Sequence, residues 1–184
     1  GEGKTFTAIN LALSLALEDQ IDTLLVDADL ARPKIRERLN LPKAPGLHDC
    51  IQNAELNANS MGWRLKNAPL TILPEGACAE RPTDLFATAD AQAVWAEMAA
   101  NPQRLVIIDA PPVLAATDAV MLARAADEIV FVVEANSTPE AAVAAAAGVI
   151  LAKRADRAEA TSGELLETNR NELNASLGNI VRDL

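Results

Sequence analysis

Tyrosine is absent from this 184-residue chain, and the other aromatics amount to three Phe and two Trp. No phenol is available here to accept a phosphoryl group. Trp63 and Trp95 read as core or edge packing rather than as a pair that stacks bases. Histidine occurs once, at His48, and one imidazole does not make a metal site. The two cysteines, Cys50 and Cys78, stand apart without metal or redox spacing, which suits plain thiols in a reducing compartment. Basic residues are outnumbered, 16 against 26 acidic, and the net charge of −10 argues against a nucleic-acid surface. No stretch approaches the roughly 18 consecutive apolar residues of a membrane span, and no signal peptide is visible. The chain opens inside a motif, so an upstream targeting or membrane segment stays open.

What is present suits a globular domain with a core: 50% of residues are hydrophobic, mostly Ala and Leu. Thr5 to Glu18 carries a helical apolar pattern. Four short apolar runs read as strands buried on both faces: Thr23–Val26, Leu70–Leu73, Leu105–Ile108 and Ile129–Val133. Between them fall short helices at Lys34–Leu39 and Gly46–Ile51, and a helix opened by RPTDLF with Thr83 as its cap and its end near Ala99. Further helices are expected at Thr117–Ala125 and Pro139–Ala147, a last short strand at Gly148–Leu151, and a charged terminal helix over Glu164–Leu184. Arg36, Arg38 and Lys34 read as a solvated helix face. Alternation of strand and helix implies crossover units and a mostly parallel sheet covered on both faces. Ligands of such sheets sit at the carboxyl ends of the strands, where Asp27, Asp29 and Asp109 fall.

Three motifs carry chemistry. Gly1-Glu2-Gly3-Lys4-Thr5 is the closing half of a phosphate loop, G-x-x-x-x-G-K-[ST], although G-K-T alone also opens ordinary helices. In such a loop backbone N–H groups wrap the phosphates, the lysine reaches the β and γ oxygens, and the hydroxyl binds Mg²⁺. LLVDADLARP sets Asp27 and Asp29 directly after a buried strand, where two carboxylates repel unless a cation or hydrogen bonds relieve them. A helix cap is the other use of that pair. LVIIDAPP ends a strand in Asp109, the arrangement of a Walker B carboxylate. Asp118, at the start of the next helix, reads as a cap. The three in order, each at a strand end, point to a phosphate site whose loop begins upstream of Gly1.

GEGKTFTAINLALSLA, LLVDADLARP, GLHDCI, LPEGACAERPTDLF and VIIDAPPVLAATDAVMLARAADEIVFVVEANST resemble, in order, segments of the bacterial tyrosine autokinases of capsule and exopolysaccharide synthesis. The resemblance is to the exosortase-associated type, within the MinD/ParA-like P-loop ATPases, and covers about Gly1 to Thr138. It implies a three-layer α/β P-loop NTPase fold with a mostly parallel sheet, its first strand missing from this chain. Residues 1–153 would be the N-terminally truncated kinase/ATPase domain, and 154–184 a divergent helical tail. It also implies ATP and Mg²⁺ as cofactors. Lys4, Asp27, Asp29 and Asp109 would be catalytic, with Lys4 on the phosphates and Asp27 as base. Gly1, Glu2, Gly3, Lys4, Thr5, Phe6 and Arg32 would contact the nucleotide. Thr5, Asp29 and Asp109 would hold the metal.

The implied activity is transfer of the ATP γ-phosphate to tyrosine in the control of polysaccharide synthesis and export. The implied partners are a transmembrane chain-length-determinant (co-polymerase) adaptor and further copies of the chain. The implied place is cytoplasmic and peripheral to the inner membrane, reached through that adaptor or an upstream segment, with no nucleic acid involved. Three departures stand out. The tyrosine tail has no counterpart. Ala31 occupies the usual arginine position, with Arg32 one place on. Ala152 stands where an asparagine usually lies near the adenine. They keep two other readings in view: an ATPase switch that dimerises on a membrane partner without phosphorylating protein, and a regulatory module that no longer binds nucleotide.

Overall fold

The computed structural model describes residues 3–77, 85–114, 117–135 and 137–159. A helix rich in Ala and Leu, α1 (Lys4–Leu17), follows Gly3 and buries the stripe Ile9, Ala12 and Ala16. The chain then enters β1 (Asp22–Asp27), in which every residue after the first is buried. Two short helices follow, α2 (Ile35–Arg38) and α3 (Leu47–Gln52), then the two-residue strand β2 (Trp63–Arg64) and the fully buried β3 (Leu70–Leu73). A 3-10 turn at Leu85–Ala87 leads into α4 (Ala89–Ala99), β4 (Arg104–Asp109), α5 (Thr117–Ala125) and α6 (Glu140–Glu159).

The sheet runs β2-β3-β1-β4. β1 pairs in parallel with both β3 and β4, and β2 adds an antiparallel edge. Strand parity divides the core into two layers. Leu24 and Val26 face α3, α4 and α5 in one cluster with Leu47, Cys50, Val94, Met98 and Leu122. Leu25 faces the other way, into a cluster with Ile9, Ala12 and Ala16 of α1 and Ile35 of α2. The fold is thus a three-layer α/β architecture with a mostly parallel sheet. No helix among the described residues is long and apolar enough to cross a membrane.

The expected strands at 23–26, 70–73 and 105–108 are found, as are the helices over Thr5–Glu18 and Thr117–Ala125 and the short ones near 34–39 and 46–51. Three expectations are corrected. Ile129–Val133 is not a strand: Val130 is 70% exposed, and among the described residues the segment pairs with no other. An apolar run becomes a strand only when a neighbour takes up its N–H and C=O groups. Gly148–Leu151 lies inside α6, because Val143, Ala147 and Ile150 recur at helical spacing and are the residues buried there. The helix expected from RPTDLF begins later: Thr88 caps α4, its side chain accepting the Ala91 N–H at 3.1 Å. Thr83, Cys78 and the terminal helix over Glu164–Leu184 lie outside the described residues. α6 runs unbroken across the boundary drawn at 153/154.

Candidate active site

Parity that sends Leu25 toward α1 and α2 sends Asp27 the same way, and Ile107 and Asp109 match them on β4. The register places Asp27 directly beside Asp109 at the carboxyl ends of neighbouring parallel strands. Both carboxylates are buried, at 0% and 3% exposure, so the two charges face each other with little water between them. Ala28 ties the strand ends together by donating its N–H to the Asp109 carbonyl at 3.0 Å.

The N-terminus of α1 meets this pair. Gly3 adopts φ +93°, a left-handed conformation that favours glycine, and the space where a side chain would stand is open. First-turn N–H groups have no acceptor within a helix, and Gly3 supplies no capping side chain. The Thr5 hydroxyl donates to the Asp109 carboxylate, and the Lys4 charge acts on the same group. Asp29, half-buried two residues past β1, also lies within electrostatic reach of Asp109. Its Oδ1 accepts the Arg32 N–H at 3.1 Å.

Burial pushes Asp27 up to about 7, and the nearby Asp109 and Glu75 charges add to the rise against hydrogen bonds from the Ile35 and Lys34 amides. Those amides each donate to Asp27 Oδ2 at 3.0 Å, while Oδ1 is buried without a partner. Burial also raises Asp109, with Asp29 adding to the rise and the Thr5 hydroxyl and Lys4 opposing it. Its Oδ2 too is buried and unpartnered. Two orphaned carboxylate oxygens beside a helix N-terminus suit a cation and the phosphates it accompanies. No three His, Cys, Asp or Glu side chains are placed to hold a metal ion by themselves among the described residues. A divalent ion would take Asp29, Asp109 and the Thr5 oxygen, whose hydroxyl proton is already given to Asp109, with water and phosphate completing the shell.

The structure therefore brings Lys4, Thr5, Asp27, Asp29 and Asp109 together, with Gly3 at the helix start. Phe6 is 60% exposed on α1, and Arg32 is exposed, its backbone N–H serving the turn after β1. Gly1 and Glu2 lie outside the described residues. His48 gives its backbone N–H to the Glu75 carbonyl, Trp95 packs tilted on Phe86, and burial raises the Cys50 thiol to about 11. Sequence reading missed two residues at this site. Glu75 is buried, and Arg36, expected on a solvated face, donates from Nε to Glu75 Oε1 at 2.8 Å. The PEG turn gave no sign of that partner. Lys34 and Arg38 are exposed as expected.

A parallel α/β sheet with a helix N-terminus and two strand-end aspartates around one point defines a P-loop-type nucleotide-binding domain. No family model matches the chain. Tyrosine-protein kinase CpsD of Streptococcus agalactiae is 33% identical over 139 residues, 74% of this chain and 58% of that protein. Tyrosine-protein kinase YwqD of Bacillus subtilis strain 168 is 32% identical over 141 residues, 75% of this chain and 57% of that protein. The crystal structure of the VpsO kinase domain superposes with a TM-score of 0.75 at 32% identity, covering 83% of this chain and 74% of that domain. The chain belongs to the bacterial tyrosine-protein kinase family, within the P-loop MinD/ParA-like group. It spans a little over half the length of the two curated relatives.

Proposed function

We propose that the chain is an ATP-dependent protein tyrosine kinase domain that acts in the control of exopolysaccharide or capsule synthesis and export. The observation that carries this reading is the meeting of the Lys4-Thr5 helix start with the buried, register-paired Asp27 and Asp109. Bound Mg²⁺·ATP supplies the transferable γ-phosphoryl group and screens its charge. Lys4 and the first-turn amides of α1 hold the phosphates, while Thr5, Asp29 and Asp109 fix the metal side. Asp27, poised near neutrality, takes the proton of the attacking hydroxyl at Oδ1. Catalysis of this kind is mostly positioning and electrostatics.

With no tyrosine among these 184 residues, the acceptor phenol lies outside them. The family resemblance supports a transmembrane co-polymerase adaptor as partner, assembly with further copies, and a cytoplasmic position against the inner membrane. The same lack of tyrosine favours a second reading, an ATPase switch in which this site hydrolyses ATP and phosphorylates no protein. Calorimetric titration with Mg·ADP tests the site both readings share. Binding by the wild-type chain and its loss in Lys4→Ala are expected. No binding by either protein would leave a module that keeps the fold without the nucleotide.

A further inference from the structure

The helix that supplies both amides to Asp27 cannot hold itself in place. α2 is a single turn without a side-chain cap, and a turn of that length has no stability of its own. Ile35 pins it by burying its side chain completely. The next residue, Arg36, supplies a second pin through Glu75, 39 positions away in sequence.

Glu75 is itself fixed. It stands two residues past β3 in the turn Pro74-Glu75-Gly76, and that turn is locked to α3. Leu47 donates its N–H to the Pro74 carbonyl at 2.8 Å and His48 to the Glu75 carbonyl at 3.0 Å. Asp49 Oδ2 accepts the N–H groups of Gly46 at 2.8 Å and Ala77 at 3.0 Å. The Glu75 side chain is only 10% exposed, and its second oxygen is buried without a partner. Arg36 is attracted by Glu75 and, more weakly, by Glu37 and then Asp27, so its guanidinium lies within reach of the Glu75 and Asp27 charges together. The neighbouring Lys34–Glu37 pair, at 2.9 Å, is by contrast exposed on the outer side of the turn.

We propose that Arg36 and Glu75 are positioning residues for Asp27: their ion pair clamps α2 to the β3 turn, so that the Lys34 and Ile35 amides hold Oδ2 and leave Oδ1 turned to the reacting hydroxyl. The proposal rests on the kinase reading for its effect on rate, but the clamp itself can be read separately. Two measurements are paired on the wild-type chain, Arg36→Met, the double variant Arg36→Met/Glu75→Gln, and Glu37→Gln as control. One is amide hydrogen exchange at Lys34 and Ile35. The other is phosphate transfer from Mg·ATP to a Glu/Tyr copolymer.

In Arg36→Met, exchange at both amides speeds up by about tenfold or more while β1 amides keep their protection. The turnover number falls by about 100-fold, as misplaced catalytic groups do, with the KM for ATP unchanged. The double variant removes the stranded Glu75 charge and so recovers thermal stability, but not turnover. Glu37→Gln behaves as wild type. Unchanged exchange in Arg36→Met, or full recovery of turnover in the double variant, would overturn the proposal, because the pair would then only neutralise itself. If wild type transfers no phosphate, the kinase reading fails, and the exchange result decides the clamp.

Discussion

Asp27 carries a cost as well as a role. Its carboxyl titrates near 7 in the folded chain, against an ordinary 3.8, chiefly because burial disfavours the charge. Between those two values the folded chain holds a proton that the unfolded chain has released. Stability therefore falls as pH rises from about 4 to about 7, and the full penalty is present above 7. Urea melts of the metal-free protein at pH 5 and pH 8 should show this slope. Asp27→Asn should flatten it, with a gain at pH 8 on the order of up to 4 kcal/mol, while abolishing phosphate transfer. A wild-type slope identical to that of Asp27→Asn would mean that the carboxylate is solvated or compensated. Cys50 is the opposite case: with its thiol raised to about 11 by burial, it stays protonated and inert at neutral pH.

Elements meet at glycines where no side chain fits, Gly46 and Gly76 among them. A Cβ at Gly46 would stand 2.1 Å from the Pro74 carbonyl oxygen, and one at Gly76 2.2 Å from Asp49 Oδ2 at a φ of +89°. Gly46→Ala and Gly76→Ala should each lose roughly 2–4 kcal/mol in denaturant melts, since backbone must move at the first, and at the second the Asp49 carboxylate is displaced and a left-handed φ is strained. Gly148 is exposed within α6 with open space at its Cβ, so Gly148→Ala should gain roughly 0.5–1 kcal/mol. If all three behave alike, the close packing of the Gly46 and Gly76 turns is wrong. The same scale shows what a sequence discloses. Thr23–Val26, Leu70–Leu73 and Leu105–Ile108 were legible because each is a short apolar run halted by Asp or Pro. Ile129–Val133 has the same signature, but pairing is a non-local property that no run contains. Val149-Ile150-Leu151 looks like a strand until the buried positions three and seven residues earlier are counted with it. β2, two residues long, offers no periodicity at all. At the site, Lys4, Thr5 and the three aspartates were legible through motif and strand end. Arg36 and Glu75 were not, because an ion pair spanning 39 residues leaves no local trace.

Across the whole molecule, charge and composition narrow what the site can do. A net charge of −10 opposes polyanion binding, yet the Lys4 charge acts on Asp109, which like its neighbour Asp27 keeps a buried oxygen without a partner, as a nucleotide–metal complex requires. None of these 184 residues can itself accept a phosphoryl group on a phenol. The most direct measurement is incubation of the chain with Mg²⁺ and γ-labelled ATP in the presence of a Glu/Tyr copolymer, beside Lys4→Met, followed by phosphoamino-acid analysis of each polypeptide. The account predicts phosphotyrosine on the copolymer, none on the chain itself, and a loss of about 100-fold or more in Lys4→Met. Release of inorganic phosphate with no phosphotyrosine, or equal labelling by wild type and Lys4→Met, would contradict it.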